Sequence, residues 1–249
     1  MSDYNRGYAR SIPARTADMS VDAGLRAFML GVYNKVGLGL VLSGALAWVT
    51  SHAPVANLLF RVTQDGRLAG YTLLGYAVAF SPIVIILASG FLMKAATPRN
   101  SGALYWTIVS LIGASMGALL LVYTGMSVAT TFFVTAAAFG GLSLIGYTTK
   151  KDLTGFGSFL IMGVFGLLIA SVVNIFLKAP AMAFIINALG VLIFAGLIAY
   201  DTQRLKMTYY ELGGDEAAKG VATNYGALSL YLDFINLFQF LLAFLGNRR

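Results

Sequence analysis

Cysteine is absent from these 249 residues, histidine occurs once, and charged side chains make up only 11%. Without cysteine there is no disulfide framework, no thiolate nucleophile and no zinc ribbon. The single histidine, His52, cannot build a metal cluster alone. A soluble domain normally carries about a quarter charged residues, so this composition argues against one. The polar first 25 or so residues, with Arg6, Arg10 and Arg15, lack the apolar core and cleavage site of a signal peptide. They are expected to form a flexible cytoplasmic tail, residues 1–25, ahead of one membrane domain over 26–249.

What the chain does have is apolar length. Hydrophobic residues make up 58% of it and its mean hydropathy is +0.79. Apolar runs fall at Phe28–Thr50, Tyr71–Met93, Ala103–Tyr123, Val128–Tyr147, Phe156–Phe176, Ala181–Tyr200 and Ala227–Leu245. A helix needs about 20 apolar residues to cross a bilayer core. The fold class is therefore an all-α polytopic membrane protein, a seven-transmembrane-helix bundle. Pro82 interrupts the second run, and Gly213-Gly214 is a plausible stop for a sixth helix extended toward Tyr210. Lys35 sits close enough to the start of its run to reach the headgroups as an interfacial anchor.

Lysine and arginine orient the bundle. The side holding the N-terminus, Lys94, Arg99, Lys150, Lys151 and the stretch Arg204 to Tyr225 carries 11 of them, and the other side 5. The expected topology has the N-terminus cytoplasmic and the C-terminus outside. The net charge of +7 follows the membrane borders, so no nucleic-acid partner is expected; membrane lipid is.

Only two acidic residues lie in or at the end of an apolar run: Asp201, at the inner end of the sixth, and Asp233, about a turn and a half inside the seventh. A carboxylate costs about 2.5–3.5 kcal/mol at the centre of a membrane helix, so such residues are usually functional or paired. Antiparallel neighbours would bring both to one depth, where they would titrate as a coupled pair. Ser229, Asp233, Asn236 and Gln239 form a polar stripe at helical spacing, expected to face the bundle. Asp201 also stands three residues before Arg204, the spacing of an ordinary ion pair at a helix end.

The segments Phe139-Gly140-Gly141-Leu142-Ser143, Tyr147-Thr148-Thr149-Lys150-Lys151-Asp152-Leu153, Ala199-Tyr200-Asp201-Thr202-Gln203 and Ala227 to Asn236 closely resemble the Bax-inhibitor family (the transmembrane Bax inhibitor motif family) in its bacterial branch. The resemblance implies a seven-helix bundle of the bacterial inner membrane. It implies a pH-sensitive calcium leak whose proton sensor is Asp201 with Asp233; the polar stripe offers Ser229 and Asn236 as supporting polar residues. Both aspartates then form a weak calcium site, with calcium as the transported ion and no resident cofactor. The family's second-helix arginine, which latches the sixth-helix aspartate, corresponds to Lys94; lysine keeps the charge but loses the bidentate fork. A second function class is an interaction protein that modulates a membrane protease, quality-control or stress-response complex. No enzyme is expected: the aspartates lack the Gly-x-Gly-Asp of intramembrane proteases, and no retinal-binding lysine lies between Ala227 and Leu245.

Overall fold

The computed structural model describes residues 22–92 and 96–249, without the side chains of 91 and 92. Helices α1 (Ala23–Thr50), α3 (Leu73–Leu92), α4 (Pro98–Ser115), α6 (Gly125–Thr148), α7 (Thr154–Leu177), α8 (Pro180–Glu211) and α9 (Glu216–Leu245) carry the fold. Short α2 (Val55–Leu59) and α5 (Gly117–Val122) and the strands β1 (Phe60–Val62) and β2 (Leu68–Tyr71) complete it. Among the described residues, 7 helical segments are long and apolar enough to cross a membrane, with α4 and α5 forming one of them. An odd number of crossings puts the two ends of the bundle's chain on opposite faces. The Lys94 position and residues 1–21 lie outside the described residues; Ala23, Gly24 and Leu25, assigned to the tail by composition, begin α1.

Local signals set the helix ends. The Asp22 carboxylate accepts from Leu25 N at 3.0 Å and Asp215 from Ala218 N at 3.0 Å, each meeting an otherwise unpaired N-terminal amide. Thr97 and Asn100 form a reciprocal capping box ahead of Pro98. Gly213, at φ +58°, ends α8 in the left-handed region that glycine adopts freely. Pro82 sits within α3, and the helix runs on past it to Leu92.

Three differences from the sequence reading have physical causes. The stretch Arg204 to Tyr225 is mostly helix: α8 continues to Glu211, as the Gly213 stop implied, but α9 already starts at Glu216, well before its apolar run. Hydropathy measures immersion in lipid, whereas a helix persists in water when its apolar stripe stays packed. The third crossing breaks at Met116, where the Thr50 hydroxyl of α1 donates to Ala114 O at 2.9 Å. Between the first two crossings β1 and β2 pair antiparallel around a turn at Gly66, φ +74°; strands of three and four residues are too short to show a period.

Helix α9 forms the axis, packed against α1, α4, α6 and α8. Tyr231, Leu230, Phe234, Leu237 and Leu242 on it are buried. By contrast α7 shows Phe159, Phe165, Ile169 and Phe176 outward, as a lipid-facing helix does. At the C-terminus the chain folds back: Arg248 bridges Tyr123, Thr124 N donates to Asn247 O at 3.0 Å and Arg249 N to Val122 O at 3.0 Å.

Candidate functional site

Asp201 and Asp233 face one another across the α8–α9 interface, and both are buried, at 4% and 6% exposure. The Asp233 carboxyl lies within electrostatic and hydrogen-bonding reach of Asp201 and feels the charge of Arg204. Ser229 Oγ, one turn before Asp233, donates to Asp201 Oδ2. Arg204 reaches back along its own helix to Asp201 Oδ1 at 3.1 Å, and its Nη2 donates to Ser229 Oγ at 3.2 Å. Asp201, Arg204, Ser229 and Asp233 therefore form one polar knot between two helices. Asp233 Oδ2 is buried and has no hydrogen-bond partner among the described residues.

The positions of the aspartates along their helices correct the sequence reading. Asp201 is not at a helix end, since α8 runs to Glu211, ten residues further. Asp233 lies seventeen residues beyond Glu216, rather than a turn and a half inside its helix. Equal depth survives because both helices lengthen together on the same side.

The polar stripe divides. Ser229 joins the pair, while Asn236 Nδ2 returns to Leu232 O of its own helix at 2.8 Å and Gln239 is exposed. Lys35 turns inward rather than toward headgroups: its Nζ donates to Asn224 Oδ1, and Asn224 Nδ2 donates to Ser101 Oγ and to Pro98 O, both at 2.9 Å. That cluster ties α1, α4 and α9 together.

Residues next to Asp201 hold three further elements. Gln203 Nε2 donates to Lys151 O at 2.8 Å and its Oε1 accepts from Leu153 N at 2.8 Å, clasping the α6–α7 turn. Lys206 Nζ donates to Tyr147 O at 3.0 Å and lies 4.9 Å from that residue's ring centroid. The Tyr33 hydroxyl of α1 faces Thr202 and Ser143. Hydropathy reading passed over Tyr33, Ser143, Thr202 and Gln203, because uncharged polar residues in a crossing are ordinary helix glue. For Thr202 and Gln203 the available signal was adjacency to Asp201 in Tyr200-Asp201-Thr202-Gln203.

Among the described residues no three His, Cys, Asp or Glu side chains gather as a metal-holding group. Calcium normally takes 6–8 oxygens, more than the four carboxylate oxygens that Asp201 and Asp233 bring together.

Residues 25–249 match the family model described as "Inhibitor of apoptosis-promoting Bax1". The chain is 72% identical over 249 residues to an uncharacterized protein of Caulobacter vibrioides, covering 100% of both. It is 41% identical to an uncharacterized protein of Rickettsia prowazekii, covering 97% of this chain and 98% of that one. Similarity to "Inner membrane protein YbhL" of Escherichia coli K12 is 40% identity over 91% of this chain and 94% of that protein. With seven apolar crossings, these relatives make the chain an integral protein of a bacterial inner membrane.

Proposed function

This chain belongs to the Bax inhibitor family, and we propose that it forms a proton-gated cation leak in the inner membrane, with calcium as its ion. The observation that carries this reading is the buried Asp201–Asp233 pair, bound to one arginine and one serine at the joint between α8 and α9. Two carboxylates this close, in a site shielded from water, repel when both are ionised and share a proton when one is not. In the shut form, ionised Asp201 holds Arg204 and Ser229. Protonation weakens that attraction and shifts the population toward an open form, in which the carboxylates face the passing ion.

Arg204 is the described cation that pairs with Asp201. Its side chain is 45% exposed, so the ion pair contributes only about 0.2–1 kcal/mol. Breaking that pair alone shifts the closed-to-open ratio by about fivefold at most. The Ser229 bond adds to it, while the carboxylates' mutual repulsion works the other way, because protonation relieves it.

The test is calcium flux across a pH series in liposomes containing only this protein. A leak that rises on acidification supports the reading. The absence of flux at every pH overturns it and favours the interaction-protein alternative.

A further inference from the structure

Hydroxyls on transmembrane helices usually bond back to their own helix, and this bundle follows the rule widely. Thr50 donates to Leu46 O, Ser101 to Thr97 O, Thr135 to Thr131 O, Thr148 to Leu144 O and Thr223 to Lys219 O. Ser143 of α6 and Thr202 of α8 depart from it. Their buried hydroxyl oxygens make no bond to their own helix and have only the Tyr33 hydroxyl within reach, and Asp233 Oδ2 on α9 is buried with no partner among the described residues. Ser143 is 5% exposed and Thr202 is 0% exposed.

These oxygens are not scattered. The Tyr33 hydroxyl of α1 faces both Ser143 and Thr202, Thr202 follows Asp201, and Asp201 faces Asp233. Helices α6, α8 and α9 pack against one another around them. Buried oxygens without protein partners are characteristically bridged by ordered water, which needs two to four polar partners. Tyr33, Ser143 and Thr202 supply that number, one helix residue along from Asp201.

We propose that ordered water, held by Tyr33, Ser143 and Thr202 between α1, α6, α8 and α9, carries protons to the Asp201–Asp233 pair. The proton-route half rests on the gating reading above; the water itself does not. Each hydroxyl or water along the route accepts one proton and passes on another, and the last proton stays on a carboxylate oxygen of the pair. The titratable and charged groups around the route are Tyr33 on α1, Tyr147 on α6, Asp201, Arg204 and Lys206 on α8, and Asp233 on α9. The route opens toward the end of the bundle that holds the α8–α9 turn. Ser143 is five residues from Thr148 at that end of α6, against eighteen from Gly125 at the other.

The absence of cysteine allows a direct test, because each introduced cysteine is the only thiol in the protein. Ser143→Cys and Thr202→Cys are nearly isosteric. Leu144→Cys, at a side chain 61% exposed toward lipid, serves as the control. Silver ion, small and borne by water, is added to one face of oriented vesicles, and the thiol that survives is alkylated after denaturation. The expected result is loss of free thiol at 143 and 202 with silver on the α8–α9 turn side, and retention at 144. Retention at both 143 and 202 would overturn the water chain. For the proton route, Tyr33→Phe removes one hydroxyl. After a pH step it should approach steady calcium flux more slowly, with the midpoint of the pH response in place, since a conduit alters a rate and not an equilibrium. An unchanged rate overturns the route while leaving the gating reading intact. A wild-type leak indifferent to pH overturns the gating reading and the route together, while the silver result still decides the water.

Discussion

At the scale of single residues, the aspartates and glycines make opposite kinds of prediction. Asp201→Asn keeps the shape of the side chain and removes its charge, so it should leak more at neutral pH and lose most of its pH response. Asp233→Asn should disturb the same transition, and the double variant should not show the sum of the two effects, because contacting groups are not additive. The check is calcium flux against pH for wild type, both single variants and the double; four superimposable curves would make the aspartates purely structural. Gly146 concerns packing alone. A Cβ placed there would meet the backbone of Ala199 on α8, which cannot swing aside as a flexible side chain can. Gly146→Ala should therefore cost about 1–3 kcal/mol, the usual range for overpacking. Gly141→Ala, on the same helix but facing open space, should be near neutral. Thermal unfolding of both variants in detergent separates them, and equal midpoints would mean that α6 and α8 have room to part.

At the scale of elements, α8 is the hub. Over six residues it binds α9 through Asp201, faces α1 through Thr202, clasps the α6–α7 turn through Gln203 and reaches the Tyr147 carbonyl through Lys206. Gln203→Leu keeps volume but removes both arms of the clasp, so the 151–153 turn should become the first site cut by protease. That same turn contains Asp152, whose carboxyl is held below its usual range by side-chain and backbone hydrogen bonds from Thr154, with burial opposing weakly. Because the folded value is depressed, the stabilisation is present above the unfolded carboxylate value and fades as pH falls below about 4. Proteolysis of the turn should rise only in that acid range, and Asp152→Asn should leave any flux midpoint near neutrality where it was. A midpoint that moves with Asp152→Asn would transfer part of the sensing to the turn.

At the scale of the whole molecule, the seven crossings put the ends on opposite faces, and the 11-to-5 distribution of lysine and arginine gives the orientation to be expected. A reporter fused after Arg249 should be active outside the cytoplasm, and one at the N-terminus inside it. The reverse result would turn the α8–α9 turn, and with it the opening of the water route, outward. The C-terminal fold-back onto Tyr123 and Thr124 joins the last crossing to the third and fourth at the end opposite the α8–α9 turn. The two ends of α9 are thus held by different partners: a backbone strap at one, and Lys35, Pro98 and Ser101 through Asn224 at the other.

Sequence alone determined the number of crossings, the class of protein and the identity of the two buried acids. Each of these follows from a one-dimensional cost: about 20 apolar residues span a bilayer, and a carboxylate inside one is expensive wherever it points. Sequence also carried the Gly213 stop and the Asp201–Arg204 spacing, because both are local. Direction and contact between distant segments were decided only by tertiary structure. Hydropathy could not show that Lys35 turns inward to Asn224, that Asn236 returns to its own helix while Ser229 meets Asp201, or that Ser143 and Thr202 point into one layer. Those outcomes depend on how seven helices are rotated about their axes, and rotation is set by side chains far apart in the chain that must share one close-packed interior.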